Sequence, residues 1–243
     1  MGTIQKRVEQ QPAYILHHRP FRDSSQILDV ISAEHGKLAL VARGSRGAKS
    51  RLKGVLRPFM PLSLSWVQRS DLGTLTGAEV RGAPLRLSGD ALLSGYYVNE
   101  LLLHFLHRHD PQPEIFTSYG ETIQALGATD NIARCLRQFE VELLRQIGYA
   151  LNFDHVSGSQ QALQAESYYE YRFEQGPVEV QRQDGPMVFT GAQLLDIGAQ
   201  RFDEPTVLRA ASRLLREVIA FHLGGKELKS RKVLIEMHRR KRR

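Results

Sequence analysis

The chain of 243 residues is 42% hydrophobic and 24% charged, an ordinary balance for a globular protein. Its only cysteine, Cys135, excludes an internal disulfide framework and a zinc site built from several cysteines. No apolar stretch approaches the ~18 residues of a membrane span, and the opening MGTIQKRVEQQPAY lacks the apolar core of a secretory signal. We therefore expect a cytoplasmic protein without a membrane anchor.

The first 80 or so residues show the period of two that is typical of half-buried strands. Turn signals, such as Pro20-Phe21-Arg22-Asp23 and His35-Gly36, separate the apolar segments. Five strands in so short a region indicate a small closed barrel of the OB type, with an SH3-like barrel as the close alternative. The strands are predicted near residues 13–18, 27–31, 38–42, 62–66 and 74–80.

Beyond Pro84 the period changes to 3.6, which predicts helices. The first three are predicted over residues 88–107, 110–126 and 132–147, with Asp130 as the cap of the third. On the first helix, the expected apolar face consists of Leu92, Leu93, Tyr96, Leu103 and Leu106.

The remainder of the chain is mixed. Short strands are predicted near 168–173 and 178–182. Thr190 is positioned to cap a short helix ending near Ile197, and Glu204-Pro205 should begin a long helix that stops at Gly224-Gly225, before a final basic segment.

These patterns predict an α+β protein with two domains. Residues 1–82 would form the five-stranded OB-fold barrel, and residues 83–243 a mainly helical domain with a small strand-containing insert at about 154–186. The alternative organisation is one merged domain.

The net charge of +7 is concentrated in two regions. Between Glu34 and Asp71 there are eight basic residues and no acidic one, and the last 18 residues hold nine basic and two acidic residues. Such concentration indicates a polyanionic partner, although a solvated loop and a solvated tail would look the same. The second basic surface includes Lys226, Lys229, Arg231 and Lys232.

The segment ARGSRGAKSRLKG, residues 42–54, resembles a nucleotide-binding phosphate loop only loosely. Ala48 stands where that motif needs glycine, and Pro58 and Pro61 follow where it needs a long helix. The glycines allow the backbone to approach a ligand, and the spaced cations could reach successive phosphates of a polynucleotide. The candidate nucleic-acid-binding residues are Arg43, Arg46, Lys49, Arg51, Lys53 and Arg57.

Neutral side chains could assist this loop. Ser45 and Ser50 could donate hydrogen bonds to phosphates. Most nearby aromatic rings are expected in the barrel core, with base stacking as the less favoured interpretation. These rings belong to Tyr14, Phe21, Phe59 and Trp66.

No catalytic constellation is visible, so we expect a protein that is not an enzyme. Histidines crowd one helix end, but the further ligands that zinc needs are not apparent, and we expect neither a metal nor another cofactor. Cys135 is interpreted as a small buried residue. The crowded residues are His104, His107, His109 and Asp110.

Several blocks of the chain resemble the RecO family of bacterial DNA repair proteins, in their gammaproteobacterial form. They are the run from AYILHHRPFRDSSQILDV to GVLRPFMPL, then YYVNELLLHFL, LRQFEVELLRQIGYALNF and LGGKELKSR. The resemblance implies a recombination mediator that binds single- and double-stranded DNA and anneals complementary strands. It also implies cooperation with RecR in loading RecA onto DNA coated by single-strand-binding protein (SSB).

The family resemblance has consequences for two further regions. Many members carry a four-cysteine zinc module after the segment matching GYALNF. Because this chain has no cysteine there, packing among Phe153, Tyr168, Tyr169 and Tyr171 should hold the module without metal. The helix matching LRQFEVELL implies that Arg137, with Arg134 as a second candidate, binds the acidic C-terminal tail of SSB.

Other functions stay open at this stage. The strongest alternative is an adaptor that binds acidic peptide tails, with DNA binding secondary. A nucleotide hydrolase and an RNA-binding OB protein are further alternatives. The resemblance favours a cytoplasmic, nucleoid-associated DNA repair protein.

Overall fold

The computed structural model describes residues 6–83, 85–149 and 151–241. The protein has an α+β fold and divides into two compact units, one of Met1–Thr129 with Leu228–Arg243 and the other of Asp130–Glu227. The predicted domain boundary at residue 82 falls within the first of these units and stays a prediction; Pro84 lies outside the described residues. Among the described helices, none has both the length and the apolar character to cross a membrane.

Five strands of the first unit close into a barrel, as predicted for the OB fold. Their order around the barrel is β1-β2-β3-β5-β4, and β1 pairs with β4 to complete the circle. Only the β3–β5 pairing is parallel. The strands are β1 Lys6–Phe21, β2 Ser25–Ser32, β3 Gly36–Ala42, β4 Leu62–Gln68 and β5 Leu72–Val80.

The barrel closes because β1 is long enough, at 16 residues, to pair with both β2 and β4. Its register shifts between Val8 and Gln11 and again between Ile15 and His17. Such irregularities bend a strand and increase its twist. Alternate side chains then fill the interior, including Leu28, Val30, Leu38, Leu40, Leu62, Leu64 and Trp66.

Three helices complete the first unit: α1 Gly89–Phe105, α2 Pro113–Ala128 and α6 Lys229–Lys241. Helix α1 packs on β1, α2 and α6. The predicted apolar face of α1 is wrong, since Tyr96 is 44% exposed and only Leu106 of the five is buried. The face that packs carries small and polar residues among the apolar ones, and its buried members are Ser94, Gly95, Val98, Asn99, Leu101 and Leu102.

The second unit combines helices with a small sheet of order β7-β6-β8. The predicted helix starts at Thr190 and Glu204 are confirmed, and Thr190 forms a capping box with Gln193. Asp130 does not cap α3, because the side chain of Asn131 accepts from the backbone N–H of Arg134 instead. The elements are α3 Ile132–Gln146, β6 Tyr168–Arg172, β7 Gly176–Val180, β8 Val188–Thr190, α4 Gly191–Gly198 and α5 Pro205–His222.

Aromatic packing holds the cysteine-free region, as expected. Phe153, Tyr169 and Tyr171 are buried, and the rings of Phe153 and Tyr171 lie 6.1 Å apart. The hydroxyl of Tyr169 accepts a hydrogen bond from the N–H of Gln164 at 2.9 Å. Tyr168, in contrast, is only half-buried.

Candidate nucleic-acid interface

The connection between β3 and β4, residues 43–61, begins with a tight turn. Ser45 is buried and donates its hydroxyl to the carbonyl of Ala42 at 2.9 Å. The N–H of Gly47 bonds to the carbonyl of Gly44 at 3.1 Å. Gly44 has φ +62°, and a Cβ there would meet no atom within 4 Å, so the outer side of this turn is open. Ser45 therefore shapes the loop and does not present its hydroxyl to a ligand.

A short 3-10 helix, Arg51–Gly54, forms the middle of the connection. The hydroxyl oxygen of Ser50 accepts from the N–H of Leu52 at 3.3 Å and so caps this helix. Leu52 and Val55 pack against the barrel core, and Leu56 belongs to it. The apolar side chains thus fix the loop on the barrel, while its arginines and lysines are exposed.

The cations predicted from the sequence are all exposed on this connection. None of them forms a salt bridge with another residue that the structure describes. The guanidinium of Arg46 donates to the backbone carbonyl of Arg22 at 3.4 Å. Exposed cations without an ion-pair partner are available to phosphates at little desolvation cost. We call this set the loop cations: Arg43, Arg46, Lys49, Arg51, Lys53 and Arg57.

The turn between β1 and β2 adds one cation, Arg22, that was not predicted for this site, next to the ring of Phe21. The backbone N–H of Arg46 donates to the carbonyl of Ser24 at 2.8 Å, which holds the two loops together. Arg22 has φ +53°, and its guanidinium lies 5.2 Å from the ring centre of Phe21. The proximity of the β1–β2 turn to the β3–β4 connection was predictable from the sequence, because consecutive antiparallel strands place these two connections at the same end of the barrel.

Most aromatic rings near the loop are unavailable for stacking. Tyr14, Phe59 and Trp66 are buried, as expected of core residues, whereas Phe21 is half-buried. The geometry of this end of the barrel therefore favours contact with phosphates over contact with bases.

Lys37 belongs to the same acid-free stretch of sequence but does not join the loop cations. Its ammonium donates to the carbonyl of Leu103 at 2.7 Å. Burial lowers the pKa of Lys37, Arg108 lowers it further, and Asp29 partly opposes both effects. Lys37 thus attaches the end of α1 to β3.

The segment does not form a nucleotide-binding phosphate loop. That motif needs an α-helix that begins at the lysine and points its N–H groups at the phosphates. Here Lys49 and Ser50 precede a 3-10 helix of four residues, followed by further loop.

The second predicted basic surface is divided between the two units. Lys226 is exposed in the second unit, and Lys229 and Lys232 are exposed at the start of α6 in the first. Arg231 is half-buried and takes part in an interaction of its own.

A carboxylate fixes the start of α6. Glu100 accepts from the backbone N–H groups of Lys229 and Ser230, both at 2.9 Å, and from the hydroxyl of Ser230 at 2.6 Å. Burial alone would raise the pKa of Glu100, but the hydrogen bonds from Ser230 and Lys229, with His104 nearby, lower it below its ordinary value.

The arginines of α3 differ in accessibility. Arg137 has a side chain only 13% exposed, forms an ion pair with the buried Glu140, and donates to the hydroxyl of Ser212 at 2.8 Å. Arg134 is 42% exposed and pairs with the exposed Asp203. Arg137 therefore ties α3 to α5, and Arg134 offers the more open guanidinium.

The histidine-rich helix end lies in solvent. His104, His107, His109 and Asp110 are all exposed, and no group of three or more possible metal ligands occurs among the described residues. Cys135 is buried, as expected, and burial raises the pKa of its thiol.

Comparisons with known proteins cover nearly the whole chain. The family model described as "Recombination protein O N terminal" matches residues 7–83, and the one described as "Recombination protein O C terminal" matches residues 86–232. The DNA repair protein RecO of Dechloromonas aromatica is 40% identical, with 97% of this chain and 98% of the relative covered. Its namesakes from Nitrosococcus oceani and Photobacterium profundum are also 40% identical, covering 96% and 93% of this chain and 95% of each relative.

Proposed function

We infer the function of this chain from one premise: it belongs to the RecO family of DNA repair proteins. We propose that it is a mediator of homologous recombination that binds single- and double-stranded DNA and anneals complementary strands. In this proposal it helps to load RecA onto SSB-coated DNA together with RecR, without enzymatic turnover or a cofactor. It would act in the cytoplasm, at the nucleoid.

The observation that carries the proposal is the set of exposed loop cations, which have no salt-bridge partner in the part of the chain that the structure describes, on a barrel of OB topology. Two complementary strands repel each other through their phosphates. A surface that neutralises several phosphates lowers this repulsion and raises the local concentration of both strands. Because this effect is electrostatic, annealing should proceed without ATP.

Strand annealing, with and without SSB, tests the proposal. The triple variant Arg46→Ala, Lys49→Ala, Arg51→Ala should anneal complementary oligonucleotides much more slowly than the wild type. A matched control removes the same charge from exposed arginines of the second unit, Arg201→Ala, Arg209→Ala, Arg216→Ala, and should retain activity. Equal annealing by the two triple variants would contradict the assignment of the loop cations.

The competing interpretation is an adaptor that binds acidic peptides, with DNA binding secondary. Arg134, the more exposed arginine of α3, supports this interpretation because its guanidinium is accessible to an acidic peptide. Fluorescence anisotropy with naked oligonucleotides separates the two functions, because an adaptor would bind an acidic peptide tightly and the oligonucleotide only weakly.

We further propose that the α3 arginines bind the acidic tail of SSB, which needs a cation beside an apolar surface. Removing Arg137 would take the ion pair from buried Glu140 and destabilise the fold, so Arg137→Lys is the better variant. Arg134→Ala should weaken binding of a tail peptide and leave the thermal midpoint near that of the wild type. Arg137→Lys should weaken binding and also lower the midpoint somewhat, because lysine cannot keep both the ion pair with Glu140 and the bond to Ser212. Unchanged peptide affinity in both variants would place the tail elsewhere.

A further inference from the structure

Four aromatic rings form a row on the second compact unit, with two members exposed and two half-buried: Tyr149 and Phe221, and His222 and Phe173. The rings of Tyr149 and His222 are stacked with centres 4.0 Å apart and planes 14° apart. Phe221 meets His222 edge to face at 5.3 Å and stacks on Phe173 at 4.7 Å. We call this set the aromatic row.

The row is held by backbone as well as by ring contacts. Phe221 and His222 occupy the last turn of α5, and Phe173 follows β6 directly. Tyr149 follows α3, and its backbone N–H donates to the carbonyl of Leu144 at 2.8 Å. Rings fixed in this way lose little conformational freedom when a ligand stacks on them.

The row also leaves much aromatic surface in water. Tyr149 is 44% exposed and Phe221 is 42% exposed. Among the described tyrosine, phenylalanine and tryptophan residues, Tyr96 is the other one with such exposure, and it lies in the first unit. Of the three strongly exposed tyrosine and phenylalanine rings among the described residues, two therefore occur in one stacked group.

We propose that the aromatic row stacks nucleobases of single-stranded DNA on the exposed faces of Tyr149 and Phe221. This inference rests on the proposed function. Every base has a flat π-face that stacks on an aromatic ring regardless of sequence. The barrel end leaves only Phe21 partly open for stacking, so the loop cations account for phosphate contacts but not for base contacts.

The charges around the row fit a polynucleotide in part. Lys226 is exposed and follows His222 by four residues, so it offers a cation for a phosphate, while the adjacent Glu227 is exposed as well and offsets that charge. Glu174 lies near His222, and its negative charge would repel a phosphate bound at that position. Replacing Glu174 should therefore strengthen binding.

A comparison of normal and abasic oligonucleotides tests this proposal in the full chain. Oligothymidylate and an abasic strand of equal length present the same phosphates, but only the first can stack. The double variant Tyr149→Leu, Phe221→Leu keeps apolar side chains and removes the π-faces. Its Kd for oligothymidylate should rise by about 5- to 100-fold, with the Kd for the abasic strand unchanged.

Two further variants sharpen the result. Tyr96→Leu removes an exposed ring outside the row and should leave both dissociation constants unchanged. Glu174→Gln should lower the Kd for both strands, because it removes a negative charge near their phosphates.

The outcomes separate this inference from the proposed function. If the wild type binds neither strand, both fail. If it binds both strands equally and the loop triple variant loses both, the proposed function stands and the aromatic row does not stack bases. If the double variant instead changes the oligomeric state seen by size-exclusion chromatography and not the Kd, the row is a contact between copies and the inference is overturned.

Discussion

Asn99 connects three elements of the first unit through its side-chain amide. The amide nitrogen donates to the carbonyl of Leu16 in β1 at 2.7 Å, and the amide oxygen accepts from the hydroxyl of Tyr119 in α2 at 2.8 Å. Burial, with Tyr14 nearby, raises the pKa of Tyr119 well above its usual value despite the bond to Asn99, so the hydroxyl keeps its proton and donates. A buried amide thus joins the barrel to α1 and α2.

Asn99→Leu should lower the free energy of unfolding by about 2–4 kcal/mol, because it removes hydrogen bonds from two buried groups at once. Tyr119→Phe removes only one of these bonds and should cost about 1 kcal/mol. Urea unfolding monitored by circular dichroism measures both. The role assigned to Asn99 fails if its variant is no less stable than Tyr119→Phe.

At the scale of elements, the connection from α1 to α2 docks closely on β3. The N–H of His109 donates to the carbonyl of Lys37 at 2.9 Å. Gly36, which precedes Lys37 in the chain, has φ +61°, and a Cβ at this position would lie 2.1 Å from the carbonyl oxygen of Asp110. Only glycine allows this approach.

Gly36→Ala and Gly44→Ala form a matched pair, since their φ values are +61° and +62°. Gly44→Ala meets no atom within 4 Å and should cost only the backbone strain, about 1–2 kcal/mol. Gly36→Ala should cost a further ~1–3 kcal/mol because the docked segment must move. Comparable thermal midpoints for the two variants would show that the segment at Asp110 moves away from residue 36 at little cost in free energy.

The attachment of α6 to α1 depends on pH through Glu100. Because the folded-state pKa of Glu100 is below its unfolded value, the stabilisation is complete above that unfolded value, ordinarily about 4.3. It is lost as the pH falls through the folded-state pKa.

Glu100→Gln should therefore lower the thermal midpoint at pH 7, since an amide nitrogen would face one of the backbone N–H groups of α6. The difference from the wild type should disappear in strongly acidic buffer, where Glu100 itself is protonated. A difference that stays constant across this range would mean that the charge of Glu100 is not the cause.

At the scale of the whole molecule, the barrel was predictable because its strands alternate with a period of two between clear turn residues. The packing face of α1 was not, because buried Ser94, Gly95 and Asn99 carry no hydrophobic signal. The sequence predicted only a basic segment where helix α6 lies. The residue that accepts the first N–H groups of this helix is Glu100, which stands 129 positions before Lys229 in the chain. Long-range partners of this kind leave no local pattern.

The candidate site also has features that the local sequence predicts and features that it does not. The loop cations could be predicted directly from the charge and the glycine spacing. The burial of Ser45 and the approach of Arg46 to Ser24 depend on how two loops meet at the barrel end, which requires the strand order. The aromatic row combines residues from three separate segments and has no sequence signature.

The salt dependence of single-stranded DNA affinity tests the central claim, that the loop cations bind phosphates, most directly. Each neutralised phosphate contributes a slope of about −0.7 to log K against log salt, so contacts to five or six phosphates predict about −4. The triple variant Arg46→Ala, Lys49→Ala, Arg51→Ala should flatten this slope by about 2, while the charge-matched control in the second unit keeps it. An unchanged slope and affinity in the loop variant would contradict the account.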